Sequence, residues 1–268
     1  MADAAGRVGM GHLSRCTAVA AALGERGAEV RCLGFEADEP LELDGVPWEP
    51  IAEPVAADGL LLLDSYSARR GEFSPDALFL DEGEPPAGAK LVIGPKGLAP
   101  PEYACLRRPY WTPPRREAGA EVRRVLVSTG AATPAATLAG EVAAALPEAQ
   151  VRVTGHEDAV GVEAIGTPPT LREELEACDL AVTGAGQTMF EALATGRPVV
   201  AVITADNQRA QARAVEDVLV LAEDEVWAKV AELAADRERR LDLAVRAGAA
   251  VDGRGAHRVA DALLALVE

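Results

Sequence analysis

A glycine motif near the start of the chain pairs an anion-binding loop with a group that exchanges protons. It reads Gly9-Met10-Gly11-His12 and opens onto an alanine-rich stretch whose apolar residues recur at helical spacing. Glycines leave backbone N–H groups accessible and a helix N-terminus adds partial positive charge, so a diphosphate suits this position. His12 is a candidate general base, because imidazole takes up a proton near neutral pH. The alternative is a tight turn with His12 as a helix cap, since short Gly-x-Gly patterns are weak signals.

A second glycine loop, in the other half of the chain, indicates that the ligand carries a nucleotide. It reads Gly184-Ala185-Gly186-Gln187-Thr188 and lies between a predicted strand and a predicted helix. Glu191 follows about one helical turn later, where a carboxylate can accept hydrogen bonds from ribose hydroxyls, unless it is an ordinary exposed helix residue. Two such loops, one in each half, favour a nucleotide-sugar site. Neither loop matches the Walker A or the full dinucleotide-binding pattern.

The first half of the chain has the alternating strands and helices of a parallel α/β domain. A helix is predicted over residues 13–26 and a strand over residues 29–33, and the apolar runs at 59–63, 77–80 and 91–93 are typical of buried parallel strands. A strand normally precedes such a glycine loop. Residues 1–6 are poor strand formers, so the first strand is expected to be missing, either truncated or lost to a late start of the reading frame.

Polar residues stand directly after two of these apolar runs. Ligands bind outside the carboxyl ends of the strands in open α/β sheets, so Asp64, Tyr66 and Asp81 are expected to face a ligand. The alternative for each is loop capping and solvation. Arg15 has two interpretations as well: it reaches the diphosphate, or it caps the first glycine loop.

The second half repeats this kind of organisation. Strands are predicted over residues 124–128, 150–154, 179–183, 198–202 and 218–221, with Gly130 in the loop after the first of them. The proline-rich residues 100–120 are the predicted linker. The sequence therefore predicts an α/β protein with two Rossmann-like domains, residues 1–112 and 121–268, and a cleft between them.

The composition excludes several kinds of partner. The formal net charge of the 268 residues is −17, which argues against binding to a nucleic-acid backbone or an anionic membrane. No apolar run is long enough to span a bilayer. The four cysteines have neither zinc-ligand nor disulfide-framework spacing, so they are expected to be buried thiols in a reducing cytoplasm, and neither a metal nor a cofactor is expected.

Taken together, these motifs resemble one family along nearly the whole chain. Residues 9–16 resemble the Gly-x-Gly-His-x-x-Arg-Cys box of the UDP-sugar hydrolases of pseudaminic acid biosynthesis and of their relatives in spore coat polysaccharide biosynthesis. The other matching segments are Ala2-Asp3-Ala4, Asp64-Ser65-Tyr66, Tyr103-Ala104-Cys105-Leu106-Arg107, the second glycine loop with Glu191, Asp206-Asn207-Gln208, and Asp252-Gly253-Arg254-Gly255 with Arg258-Val259.

The resemblance implies a GT-B-type fold, related to that of the glycosyltransferase that makes lipid II. The implied reaction is inverting hydrolysis of UDP-2,4-diacetamido-2,4,6-trideoxy-β-L-altropyranose, in which water attacks the anomeric carbon and UDP leaves. The family's catalytic histidine falls on His12, and its substrate-contacting residues fall on Glu191 and Asn207. The full set of expected substrate- or nucleotide-binding residues is Gly9, Gly11, Arg15, Asp64, Tyr66, Gly130, Gly184, Gly186, Gln187, Thr188, Glu191, Asn207 and Gln208.

The chain departs from the family pattern at two places in these motifs. Ser65 replaces the histidine of the family's Asp-His-Tyr, and the Gly-Gly-x-Asp-Pro loop becomes Gly130-Ala131-Ala132-Thr133-Pro134. Two other functions therefore stay open. One is a GT-B glycosyltransferase that uses the same histidine to deprotonate an acceptor hydroxyl, and the other is a non-catalytic subunit that binds a nucleotide sugar. The oligomeric state is not predicted.

Overall fold

The computed structural model describes residues 1–3, 10–35, 37, 39–52, 58–65, 71, 73–112, 119, 121–130, 135–155 and 159–267. Its chain divides into two compact units. The first unit contains Met1–Trp111 together with Gly253–Glu268, and the second contains Thr112–Asp252. Gly9 and Tyr66 were expected to be site residues, but they lie outside the described residues, as do residues 131–134 of the Gly130 loop.

The first unit is built on a mainly parallel sheet. Its strands are β1 (Ala2–Asp3), β2 (Cys32–Phe35), β3 (Leu41–Leu43), β4 (Val46–Ile51), β5 (Leu62–Leu63), β6 (Ala77–Phe79) and β7 (Leu91–Ile93). A parallel bridge from Ala2 to Asp64 joins the β1-β2-β4-β3 group to the β5-β6-β7 group. The resulting order is β3-β4-β2-β1-β5-β6-β7, in which only β3 is antiparallel to its neighbour.

The first strand, which the sequence predicts to be missing, is present. Its two residues pair in parallel with β2, and on the other side the Asp3 N–H donates to the Asp64 carbonyl at 3.1 Å while the Asp64 N–H donates to the Met1 carbonyl at 2.9 Å. Alanine and aspartate have low strand propensity, so a two-residue strand leaves no sequence pattern. It forms because strands on both sides supply its hydrogen bonds.

The helix α1 (Gly11–Gly24) follows the first glycine motif and packs against this sheet. Its alanines, with Leu13, Cys16 and Val19, are buried in a core that also contains Trp48 and Phe79. Small residues allow a close approach of the helix to the sheet, which suits a chain in which only 4% of residues are aromatic.

The second unit has a six-stranded parallel sheet in the order β10-β9-β8-β11-β12-β13. These strands are β8 (Arg124–Ser128), β9 (Gln150–Val153), β10 (Val162–Ala164), β11 (Leu180–Gly184), β12 (Val199–Val202) and β13 (Val220–Ala222). The helices are α2 (Ala135–Ala145), α3 (Arg172–Ala177), α4 (Gln187–Ala194), α5 (Arg209–Arg213), α6 (Val226–Ala235) and α7 (Arg237–Ala250). The chain runs outward from β8 to β10 and returns to β11, so the strand order reverses between β8 and β11.

The last helix, α8 (Gly255–Leu264), belongs to the first unit, whereas the sequence pattern predicts it in the second domain. It packs along α1, with Ala256, Val259, Ala260 and Leu263 in the same core as Leu13 and Val19. The predicted linker also differs from the structure, because residues 104–107 and Tyr110 are buried in the first unit. An apolar helix face does not indicate which sheet covers it, so sequence order suggested the wrong unit.

Two glycines make this return of the chain possible. Gly253 has a φ of +79°, and a Cβ added there would lie 2.2 Å from the Tyr110 carbonyl oxygen. A Cβ on Gly255 would lie 2.2 Å from the Ala104 carbonyl oxygen. The Asp-Gly-x-Gly motif therefore has a packing role: it lets α8 begin directly against the 104–111 segment.

We expect Gly255→Ala to destabilise the protein by about 1–3 kcal/mol, because the new methyl group must displace backbone atoms. Gly24→Ala is the matched control, since Gly24 also lies in a helix but a Cβ added there would have nothing within 4 Å. Alanine there should be neutral or slightly stabilising. Urea unfolding of both variants measures the difference, and equal stabilities would contradict the packing role.

Candidate functional site

The central contact of the first unit joins His12 to Asp64. His12 is the second residue of α1, and Asp64 directly follows β5. Their side chains meet with 2.6 Å between Nδ1 and Oδ1, and they are 6% and 0% exposed. The start of α1 and the end of β5 meet where the strand order of this sheet reverses, between β1 and β5. In open α/β sheets this is the position at which ligands bind.

The pair fixes the tautomer of the imidazole. A carboxylate can only accept hydrogen bonds, so Nδ1 carries the hydrogen that Asp64 accepts. Nε2 is then the ring nitrogen whose lone pair can take a proton from a hydroxyl. This arrangement, in which a buried aspartate orients a histidine base, is the one that activates oxygen nucleophiles in several enzyme classes.

Asp64 is ionised although it is completely buried. Burial by itself raises the pKa of this carboxyl. The charge of Arg15, the electrostatic attraction of His12 and the hydrogen bonds from both outweigh that effect, so the pKa is held well below its usual range. The carboxylate Oδ1 accepts from His12 and from Arg15 Nη2 at 2.7 Å, and Oδ2 accepts from Arg15 Nε at 2.6 Å.

Arg15 bridges two carboxylates. Besides its two bonds to Asp64, it donates to Asp81 from Nη1 at 2.7 Å and from Nη2 at 3.0 Å. Its guanidinium carbon lies 4.7 Å from the centroid of the Phe79 ring. Of the two interpretations left open by the sequence, neither describes these contacts. Arg15 holds the buried carboxylates, and binding of a diphosphate by Arg15 stays a prediction.

Asp64 was expected to contact substrate. Its side chain has no exposed surface and contacts His12 and Arg15, so a direct contact with substrate stays a prediction. Asp81, which was likewise expected to face a ligand, is part of the same cluster through its contacts with Arg15. Sequence reasoning missed Phe79 and Cys16, whose thiol lies 3.7 Å from Asp64 Oδ2. The period-two spacing of Phe79, the last residue of β6, and Asp81 is a signal that could have found Phe79, because side chains two residues apart on an extended chain lie on the same side.

The cysteines are unsuited to act as nucleophiles. All four are buried, and none of them forms a disulfide. Burial raises the pKa of Cys32 to about 11 and of Cys105 and Cys178 to about 12, and it raises the pKa of Cys16 well above the usual value. The thiolate is the reactive form, so these thiols are inert at neutral pH.

The second glycine loop occupies the reversal point of the other sheet. Gly184 ends β11, Gly186 caps α4, and Gln187 and Thr188 are the first two residues of that helix. The first N–H groups of a helix have no intrahelical acceptor and can face an anion. A Cβ on Gly184 would lie 2.7 Å from the Thr129 carbonyl oxygen, so glycine is required where this loop approaches the loop after β8.

The other expected residues of the second unit lie around this loop or on the next one. Gly130 follows Thr129 with a φ of +78°. Glu191 is the fifth residue of α4 and is 6% exposed, so it is not an ordinary exposed helix glutamate.

Asn207 lies in a single 3₁₀ turn, Asp206–Gln208, and the Gln208 side chain accepts from the Thr204 N–H at 2.9 Å. A Cβ on Gly186 would lie 3.7 Å from Gln208 Nε2, which brings these two loops together.

One further polar atom stands out at this reversal point. The Thr183 hydroxyl, next to Gly184, is buried and has no hydrogen-bond partner among the described residues. A buried hydroxyl without a partner is costly, so this position favours a bound group that supplies one.

Within the described residues, no set of three or more histidine, cysteine or acidic side chains is placed to hold a metal ion. None of the described helices has both the length and the apolar character needed to cross a membrane.

Comparison with known proteins identifies the fold and leaves the family unassigned. No protein-family model matches the chain, and no curated protein is similar to it. Among solved structures it is similar to the spinosyn forosaminyltransferase SpnP (TM-score 0.63, 14% identity, 96% of each chain covered). It is also similar to the Streptomyces sp. SF2575 glycosyltransferase SsfS6 in complex with thymidine diphosphate (0.61, 17%, 96% of each chain). A third similar structure is Acinetobacter baumannii MurG (0.57, 15%, 93% of this chain and 95% of that one).

These likenesses extend over both units but are low in sequence identity, so they establish the fold. The chain has the GT-B fold of glycosyltransferases, made of two Rossmann-like domains, as the sequence predicts.

The buried carboxylate makes stability depend on pH. Because the pKa of Asp64 is lower in the folded than in the unfolded chain, where it is about 4, its contribution is present above that value and is lost as pH falls. We expect Asp64→Asn to destabilise the protein by about 3 kcal/mol at neutral pH. The deficit relative to wild type should shrink between about pH 5 and pH 2.

Urea unfolding of wild type and Asp64→Asn at several pH values measures this difference. Asp261→Asn is the control, because Asp261 pairs with Arg26 at the surface and such pairs contribute little. A deficit of Asp64→Asn that stays constant over the whole pH range would mean that the aspartate is not ionised in the folded protein.

Proposed function

We propose that this protein is an enzyme that cleaves the bond between the anomeric carbon and the diphosphate of a nucleotide sugar, with His12 as general base. The observation that carries this proposal is the buried His12–Asp64 pair at the reversal point of the first sheet. It presents a correctly oriented imidazole at the N-terminus of α1, where ligands bind in this class of sheet.

The chemistry follows from the tautomer. A hydroxyl group donates its hydrogen to His12 Nε2, and its oxygen attacks the anomeric carbon while the proton passes to the ring. The bond from the anomeric carbon to the phosphate oxygen breaks, and its electron pair leaves with the nucleoside diphosphate. The imidazolium ion formed in this step is stabilised by the Asp64 carboxylate on Nδ1. Attack from the face opposite the leaving group inverts the configuration.

The nucleophile that fits the fold best is an acceptor hydroxyl, which makes the reaction glycosyl transfer. Two of the similar structures are described as a glycosyltransferase and a forosaminyltransferase, and both are covered over 96% of their length. At 14–17% identity this support is limited to the fold, so the acceptor and the sugar are not assigned.

Hydrolysis is the second candidate, favoured by how the residues of the first box contact one another. His12, Arg15 and Cys16 all lie within hydrogen-bonding reach of Asp64. These three residues belong to the box in residues 9–16 that resembles the UDP-sugar hydrolases, so this part of the resemblance falls on a physically connected cluster. Water would then replace the acceptor hydroxyl, with the same base and the same leaving group. The UDP-diacetamido-trideoxy sugar of that family is the substrate to test first.

The second unit is proposed to bind the nucleotide. The N–H groups at the start of α4 suit the diphosphate, and Glu191 suits the ribose hydroxyls. The unpartnered Thr183 hydroxyl beside this loop supports a bound polar ligand. Asn207 and Gln208, on the neighbouring 3₁₀ turn, are proposed as further ligand contacts.

We expect His12→Ala to lower the release of nucleoside diphosphate from a nucleotide sugar by about 10²–10⁴-fold, the usual contribution of a general base. The assay uses panels of UDP- and TDP-sugars, including UDP-diacetamido sugars. His257→Ala is the matched histidine control, because His257 lies on α8 and contacts Glu25 and Trp111. Full activity of His12→Ala would refute the role of the base, and a nucleotide sugar that binds without turnover in wild type would favour a non-catalytic subunit.

The same assay without an acceptor separates the two reactions. Release of the diphosphate from the sugar in buffer alone, at the rate seen with alcohols or sugars present, identifies hydrolysis. Release that requires an added acceptor identifies transfer, and the glycosylated product is then detected by mass spectrometry.

We expect Glu191→Gln to weaken UDP binding about tenfold, since a carboxylate is a stronger acceptor than an amide. The informative comparison is between UDP and 2′-deoxy-UDP, measured by calorimetry. If Glu191 accepts from the 2′-hydroxyl, wild type prefers UDP and the variant binds both ligands alike. Glu232→Gln, on α6, is the control because Glu232 pairs with Lys229 and Arg239 at the surface. An unchanged preference for UDP in Glu191→Gln would exclude this role.

A further inference from the structure

We propose that Asp81 is a positioning residue for the base, acting on His12 through Arg15 and Asp64. This inference rests on the proposed role of His12 and extends it to a side chain that makes no hydrogen bond with the imidazole among the contacts described above.

The guanidinium of Arg15 is fixed by carboxylates at two of its edges. The guanidinium is planar and rigid, and two of its edges donate hydrogen bonds. The edge with Nε and Nη2 donates to Asp64, and the edge with Nη1 and Nη2 donates to Asp81. A planar group held bidentately at two edges cannot rotate without breaking several charge-assisted hydrogen bonds. Asp81 therefore fixes the plane in which Arg15 meets Asp64.

The end of β6 and the residues that follow it present an aromatic ring and Asp81 to the same guanidinium. Phe79 ends β6 and Asp81 follows two residues later, so both project from the same face of the chain. Phe79 contacts the guanidinium with its ring, and Asp81 contacts it with its carboxylate. The Arg15 and Asp81 side chains are each only 13% exposed, so water screens this pair weakly.

Asp81 also sets the net charge of the cluster. Two carboxylates and one guanidinium carry a net charge of −1 beside His12, so Arg15 does not fully neutralise Asp64 and the carboxylate remains a strong acceptor for Nδ1. Without the Asp81 charge, Arg15 neutralises Asp64 alone. The carboxylate then accepts less strongly from Nδ1 and holds the ring less firmly in place.

The hydrogen bond between His12 and Asp64 provides a direct spectroscopic readout in the free protein. A ring N–H donated to a buried carboxylate over 2.6 Å gives a proton resonance far downfield. The chain has three histidines, so substitution assigns this resonance. We expect Asp64→Asn to abolish it and Asp81→Asn to move it upfield. Asp261→Asn, which removes the exposed partner of Arg26, should leave it in place.

Kinetics supply the second readout, which a purely structural role would not reproduce. Asp81→Asn should lower kcat about tenfold with KM nearly unchanged, because the base step is affected and ground-state binding is not. Asp81→Glu, which restores the charge, should recover most of kcat. Asp81→Ser removes the charge while leaving room for water around Arg15, and it replaces Asp81→Asn in both measurements if that variant does not fold.

The two readouts separate this proposal from the proposed function. A resonance that moves in the Asp81 variants of a protein that turns over no nucleotide sugar would sustain the linkage and refute the function. A resonance that stays in place when the Asp81 charge is removed, or a kcat equal to that of wild type in an active enzyme, would overturn the positioning role.

Discussion

A buried carboxylate that must remain charged is the constraint on which the first unit depends. Asp64 has no exposed surface, and a buried charge is tolerated only when partners surround it. Arg15 and His12 from α1 provide those partners, so the start of α1 is fixed against the end of β5. The backbone of the same residue bridges to Ala2 and joins the two parts of the sheet. One residue thus links the topology of the unit to the orientation of its imidazole.

The two units place different chemistry at equivalent positions. Both sheets reverse their strand order once, and a helix N-terminus lies at each reversal point, preceded in the second unit by the described glycine loop. In the first unit this position holds ionised side chains with a net negative charge beside a histidine, which suits proton transfer more than binding of a diphosphate. In the second unit it holds helix N–H groups and hydroxyls, which suit an anion. The fold by itself does not indicate a particular reaction. The proposed function rests instead on the side chains that lie at these two positions.

The cluster also explains why Arg15 is an arginine. Five donors in one plane allow it to serve two carboxylates while its face contacts Phe79. A lysine would supply the positive charge, but not the planar set of donors that contacts both carboxylates. The sequence allows two reasonable interpretations of Arg15, binding of a diphosphate or capping, and neither anticipates two acidic partners that lie 49 and 66 residues away along the chain.

The sequence by itself determined the fold class and the two Rossmann-like domains, and it predicted the two glycine loops with His12 and Glu191 as the site. Those inferences come from local patterns: apolar runs at strand length, glycines before helices, and polar residues at strand ends. It did not determine β1, whose two residues become a strand only through neighbours on both sides, nor the unit that α8 joins. Only the tertiary structure decided that Asp64 is buried, that Asp81 reaches it through Arg15, and that His12 donates from Nδ1. These features arise from residues far apart in sequence, and the burial that sets their charges exists only in the folded chain.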